Sequence, residues 1–219
     1  MIKDNVSRIK AQTPEAVTIV AVSKGRSVSQ IQEAIGAGIT DIGENRVQEA
    51  LVKYNAIRDT QYGKRIKWHL VGHLQTNKVK EAVKTFDLIQ SVDSLHLALE
   101  IDKQAAQINK LQDILIEVNT SGEATKFGLK REDAIGVIKE IGRLKNIKIN
   151  GLMTVAPIVD NPEETRPYFR KLRELLEEIN CQGITPGAPE VLSMGMTDDF
   201  RIAIEEGSTM VRLGRAIFR

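Results

Sequence analysis

The feature that most limits what this chain can fold into is an alternation of two periodicities, sustained from one end to the other. Short runs rich in Val and Ile, too short to be helices, alternate with longer stretches whose apolar residues recur every three or four positions. Strands are expected at 17–24, 39–45, 66–72, 88–92, 113–119, 147–155, 190–194 and 208–213. Helices are expected between them, at 27–37, 47–57, 77–83, 95–108, 132–144, 161–179 and 198–205. One more precedes the first strand, where Ile2, Val6 and Ile9 share a stripe that Pro14 ends. The boundaries carry their own signals: Asn161-Pro162-Glu163-Glu164 places a cap, a first-turn proline and two acids at one helix start. Strands alternating with helices imply a parallel sheet. Eight of them imply closure into a (β/α)8 TIM barrel, an α/β fold for which about 200 residues is near the lower limit. An open doubly wound sheet is the alternative, and would be wide for so short a chain. With no linker and no low-complexity segment, residues 1–219 are expected to form a single domain.

Charge and cysteine content narrow the function. The formal net charge is +2 with no long block of one sign, so neither nucleic acid nor a membrane surface is expected as a partner. The one cysteine, Cys181, excludes an internal disulfide and reads as an inert core residue. Charges run through residues 1–12, unlike a signal peptide, and no apolar run approaches the ~20 residues of a membrane span. A cytoplasmic protein is expected, as a monomer, with a weak dimer the alternative.

In a barrel all strands deliver their C-terminal ends to one face, where chemistry collects. The residues delivered here are Lys24, Asn45, His69, Asn119, Met153, Thr154, Ser193 and Arg212. After the last two strands come Ser193-Met194-Gly195-Met196-Thr197, running into a helix expected from Asp198, and Arg212-Leu213-Gly214-Arg215. Hydroxyls, glycines and free N–H groups at these places suit an anion, and barrel phosphate sites recur after strands seven and eight. Either glycine alone reads as a turn residue; the two in register with a barrel read as a phosphate cradle. A cradle on one side of the mouth and a strand-end lysine on the other suggest a phosphorylated aldehyde. The lysine amine, at about 10.4 in water, must lose its proton to attack a carbonyl. Burial against apolar walls near Arg212 is expected to help it do so. The product, a Schiff base, is the linkage by which pyridoxal phosphate is held.

Several motifs then resemble one family across nearly the whole chain. They are Ala21-Val22-Ser23-Lys24, Gly43-Glu44-Asn45, Trp68 to Lys78, Lys126-Phe127-Gly128, Gly151 to Thr154, Leu192 to Phe200 and Val211 to Phe218. In order and spacing they are similar to the pyridoxal phosphate homeostasis proteins, single-domain relatives of the alanine racemase N-terminal barrel. The resemblance implies pyridoxal 5′-phosphate as cofactor and Lys24 as the lysine that carries it. It implies Ser193, Gly195, Thr197 and Gly214 as phosphate contacts, Arg215 as another through its backbone, and Arg212 as the group facing the pyridine nitrogen. Asn45, His69 and Met153 match pocket positions. One departure is the end, where the family continues past Phe218 with a glycine and this chain has Arg219.

An arginine at the pyridine nitrogen leaves it unprotonated and the ring a poor electron sink. Racemases built this way use a second base, a tyrosine from an extra domain of the partner subunit. Five residues follow Gly214 here, so no such domain is expected, and Tyr54, Tyr62 and Tyr168 fall in or beside helices. The role implied is to hold and release the cofactor within intracellular homeostasis, without robust catalysis. The alternatives are a pyridoxal-phosphate-dependent amino-acid racemase and a barrel for some other phosphorylated metabolite. His69 and His73 lie roughly 13 Å apart on strand geometry, so no shared metal is expected. Trp68 reads as packing, and Arg170, Lys171 and Arg173 as the solvated face of the long helix.

Overall fold

The computed structural model describes residues 1–219. Its strands are β1 (Thr18–Val22), β2 (Asp41–Glu44), β3 (Lys67–Leu70), β4 (Leu88–Val92), β5 (Gln112–Asn119), β6 (Leu129–Lys130), β7 (Ile147–Met153), β8 (Val191–Ser193) and β9 (Met210–Leu213). All pairings are parallel, in the order β4-β3-β2-β1-β9-β8-β7-β5, and β4 also pairs with β5. That last pairing closes an eight-stranded barrel, as expected from the alternation. The two-residue β6, hydrogen-bonded to the end of β5, was not foreseen.

The helices are α1 (Ile2–Ala11), α2 (Val28–Gly36), α3 (Val47–Ile57), α4 (Val79–Thr85), α5 (Leu95–Ala106), α6 (Arg131–Ile141), α7 (Arg166–Cys181), α8 (Phe200–Glu205) and a short α9 (Arg215–Phe218). Ser27 caps α2 through a reciprocal bond with Gln30, and Ser94 caps α5. Asn5 of α1 donates to the carbonyls of Ile217 (3.1 Å) and Arg219 (2.7 Å), tying the leading helix to the last.

Strand parity sorts the core into two layers. Ala21, Ile42, Trp68, Leu70, Ile89, Ile114, Ile116, Leu152, Leu192, Val211 and Leu213 face outward into one apolar cluster with the helices. Trp68 is packed there, edge-on to Tyr54. Val20, Leu88, Leu115, Met153 and Met210 form a separate cluster inside the barrel. Two glycines let backbones meet. A side chain at Gly151 would lie 1.9 Å from the Val191 carbonyl oxygen, and one at Gly72 would lie 2.4 Å from that of Asn45.

Three expectations fail. Cys181 is exposed rather than core, because the buried stripe of α7 is Phe169, Leu172, Leu175, Leu176 and Ile179, and position 181 falls off it. Leu99 and Ile108 are likewise exposed. The basic face of α7 is not simply solvated: Arg166, Arg170 and Arg173 converge on the buried Glu206 at the end of α8.

Candidate functional site

Counting by twos from the inner cluster continues the inward face toward the C-terminal mouth. Val20 leads to Val22, Leu88 to Gln90, Leu115 to Glu117, Val191 to Ser193 and Met210 to Arg212. His69 and Gly43 share that face, the glycine seated against Val20, Val22 and Val71. The apolar inner layer therefore gives way to a polar one.

All of these polar groups except Glu117 belong to one chain of hydrogen bonds that ends on Asp41. Asp41 Oδ1 lies 2.9 Å from His69 Nε2, and Gln90 Nε2 lies 2.9 Å from His69 Nδ1. Ser193 Oγ donates to Gln90 Oε1 (2.6 Å), and Arg212 donates one NH group to both Ser193 Oγ (2.6 Å) and Ser193 O (2.7 Å). Its other NH group donates to Thr154 O (2.7 Å). The direction is fixed at both ends. Arginine only donates and the carboxylate accepts, so the chain runs in one sense, from Arg212 through Ser193, Gln90 and His69 to Asp41. Burial would raise the Asp41 carboxyl, but hydrogen bonds from His69 and Thr40 outweigh it and hold it below its usual value.

Arg212 is 5% exposed, and burial pushes it down to about 10, against the pull of Glu117 and Asp199, so it stays charged at neutral pH. Three of its donor contacts are spent on the barrel. Its Nε–H and one N–H of the Thr154-bonded NH2 group make none within the chain.

Ser193 and Met153 are fully buried and stand in register with each other and with Glu117. The Ser193 hydroxyl is occupied by Gln90 and Arg212, which makes it a brace for the guanidinium. Ser193→Ala should cost about 1–2 kcal/mol in a denaturant titration, because a buried donor and acceptor lose their partner. An unchanged midpoint would refute the brace.

The two glycine turns do come together. Ala216 N donates to Thr197 Oγ1 (3.3 Å), Arg212 N donates to Gly195 O (3.0 Å), and Arg215 pairs with Asp198. The N–H groups of Gly195, Thr197 and Gly214 make no hydrogen bond within the chain. Gly195 has φ +94° and packs on Phe200 and Ala203. The helix expected from Asp198 begins at Phe200 instead, since Asp199 Oδ1 accepts from Met196 N (2.6 Å) and keeps 196–199 as a turn. The Arg215 guanidinium is exposed and spent on Asp198.

Lys24 stands beside these turns. Its strand pairs with β9, Ala21 level with Leu213, and Gly214 lies against the Val22 carbonyl. The apolar wall expected around it is not there. The strand ends at Val22, Arg26 N closes a turn onto Ser23 O (2.9 Å), and Gly25 at φ +67° leaves Lys24 exposed. Asn45 is half-buried on the neighbouring loop. Of the larger cavities, one of about 630 Å³ lies at the C-terminal end of β5, lined by Asn119 to Lys126, and one of about 550 Å³ at the N-terminal strand ends; neither is lined by Lys24, Arg212 or the glycine turns. Side chains such as His69, Gln90 and Arg212 fill the barrel, so the site is a shallow one on its mouth.

Sequence reasoning missed Glu117 and Gln90. Glu117 is 8% exposed with no hydrogen-bond partner, and burial, with Asp93 adding and Arg212 opposing, pushes it up to about 7. The available signal was a lone carboxylate at inward parity in Ile114-Leu115-Ile116-Glu117-Val118. His73, read beside His69, lies on the following loop, stacked on Phe127 and paired with Asp93.

Comparison with known proteins follows the same lines. Residues 1–219 match the family model described as alanine racemase, N-terminal domain. A pyridoxal phosphate homeostasis protein of Aquifex aeolicus is 46% identical over 200 residues, 91% of this chain and 85% of that one. One of Synechocystis is 39% identical, covering 97% of this chain and 95% of the relative. The structure of PipY from Synechococcus elongatus with PLP bound superposes with a TM-score of 0.91 at 33% identity, covering all of both chains. An alanine racemase of Clostridium difficile superposes with a TM-score of 0.79 at 17% identity, covering 99% of this chain and 58% of that one, and so shares the fold.

Proposed function

The chain belongs to the alanine racemase N-terminal domain family and, within it, to the pyridoxal phosphate homeostasis proteins, and from that premise we propose that it holds pyridoxal 5′-phosphate on the barrel mouth, covalently through Lys24, and releases it. The observation that carries this is the joining of two glycine turns, with unpaired N–H groups, beside the one lysine at the end of β1. The residues present fit the group. Gly195, Thr197, Gly214 and the Arg215 backbone would take the phosphate. Arg212, through an N–H that the barrel leaves free, would donate to the ring nitrogen, braced by Ser193. Asn45 would line the mouth; His69 and Met153 support it from inside the barrel. Bound there, the group would supply an aldehyde, and Lys24 would offer the amine to condense with it, with water as the other product.

The reading assigns holding and release rather than turnover. One observation favours the racemase alternative, the Glu117 carboxylate on the inward face at the mouth. Incubating loaded protein with L-amino acids in deuterated water separates the two, since deuterium at the α-carbon marks an enzyme.

Borohydride treatment of the loaded protein should fix a pyridoxyl group on Lys24, seen by peptide mass analysis. Lys24→Ala should abolish that attachment while still retaining cofactor weakly through the turns. A pyridoxyl group elsewhere, or a variant that takes up no cofactor, would overturn the assignment.

A further inference from the structure

Nothing holds the Lys24 side chain itself. It is exposed and makes no ion pair or hydrogen bond. Its aim therefore rests on the backbone of its two neighbours, and both neighbours are tied to one buried amine.

Lys53 of α3 is 5% exposed. Its Nζ donates to Ser23 O (2.7 Å), Glu44 Oε1 (2.6 Å) and Glu49 Oε1 (2.7 Å). Three donors thus meet three acceptors. Glu49 Oε1 in turn accepts from Gly25 N (2.7 Å), and Ser23 Oγ donates to Glu44 Oε1. Ser23 is gripped through its carbonyl and hydroxyl and Gly25 through its N–H, with Lys24 between them.

Stability alone is a poor reason for this cluster. A buried ion pair is often no better than apolar residues of the same volume. Here Glu44 is fully buried and its Oε2 has no partner at all. Outside the three charged residues themselves, the cluster's hydrogen bonds go to the Lys24 turn.

We propose that Lys53, with Glu44 and Glu49, is the positioning group for Lys24, fixing the turn from which its amine attacks. This rests on the reading of Lys24 as the point of covalent attachment. In that step the amine nitrogen bonds to the aldehyde carbon, and two protons leave with the carbonyl oxygen as water. The clamp acts on the rate of the step and leaves the phosphate contacts alone.

The test compares parent, Lys53→Met and Glu49→Ala in two measurements. One is the affinity for 4′-deoxypyridoxine phosphate, which carries the ring and phosphate but no aldehyde. The other is the rate of adduct formation with pyridoxal phosphate, followed by absorbance and confirmed by borohydride trapping at Lys24. Affinity for the deoxy compound should stay within twofold, while the adduct rate falls about tenfold or more in Lys53→Met and several-fold in Glu49→Ala, as for a misplaced reacting group. A folded Lys53→Met with the parent's rate overturns the clamp. If that variant does not fold, Glu49→Ala decides, since its side chain is partly exposed and its removal leaves Gly25 N free. A parent that forms no adduct at Lys24 overturns the functional reading, and the clamp falls with it. A parent that does, beside variants that keep its rate, overturns the clamp alone.

Discussion

At pH 8 the Glu117→Gln variant should be more stable than the parent by about 3 kcal/mol, and near pH 4 the two should be equally stable. Glu117 is a carboxyl inside a strand, 8% exposed and without a hydrogen-bond donor. Burial disfavours its ionised form, Asp93 adds to that, and Arg212 only partly offsets it, so it titrates at about 7 rather than 4.5. Between those two values the folded protein binds a proton that the unfolded chain does not. Stability from this group is therefore complete below the unfolded value and is lost as pH rises through 7. Glutamine mimics the protonated form at every pH and carries no such penalty. Each tenfold difference in proton affinity is worth about 1.4 kcal/mol, which sets the expected size. Urea midpoints for both proteins at intervals from pH 4 to pH 8 give the curve directly. Parallel curves would show that the carboxyl is solvated or paired after all.

How this group escaped the sequence reading shows where sequence reasoning reaches. The alternation of periods was enough for the barrel, because each strand and helix is specified by its own few residues. Parity then makes the inward face countable: Leu115 inside the barrel puts Glu117 inside too. What parity does not give is the partner. The bond from Ser193 to Gln90 joins residues 103 positions apart, and that from Ser193 to Arg212 depends on how far β8 slides along β9. Ser193 was thus read as a phosphate contact from the resemblance and from its hydroxyl beside a glycine turn, and in the fold that hydroxyl is engaged by Gln90 and Arg212. The same limit explains Lys53, an unremarked lysine in a helix until closure sets it beneath the Lys24 turn. It also explains Glu206, whose burial only becomes sensible once three arginines of α7 arrive over it. Lys24 failed in the opposite direction. A strand-end lysine suggested apolar walls, but a turn closed by a left-handed glycine takes the side chain out of them.

The glycine turns were legible as residue types, and their two roles can be told apart by a methyl group. Gly195→Ala should cost about 3 kcal/mol or more, combining backbone strain with a core clash. Its φ of +94° is strained for any L residue, and the added Cβ would lie 2.6 Å from Ala203 Cβ and 3.0 Å from Phe200 Cα. Neither neighbour has room to retreat, since Ala203 is fully buried and Phe200 nearly so. Gly25 is the control. Its φ is +67°, yet nothing lies within 4 Å of an added Cβ, so alanine there should cost only the conformational term, about 1–2 kcal/mol. The two variants should also differ in function. Gly195 O accepts from Arg212 N, and Thr197 two residues on is bonded to Ala216, so a displaced Gly195 disturbs the phosphate turn and the arginine strand together. Gly195→Ala should therefore lose cofactor on dialysis, with little pyridoxyl-Lys24 left to trap. Gly25→Ala should keep the phosphate turns intact and retain 4′-deoxypyridoxine phosphate at the parent's affinity. Equal destabilisation of the two would mean that the contact with α8 yields freely, and the turn at Gly195 would then be set by φ alone.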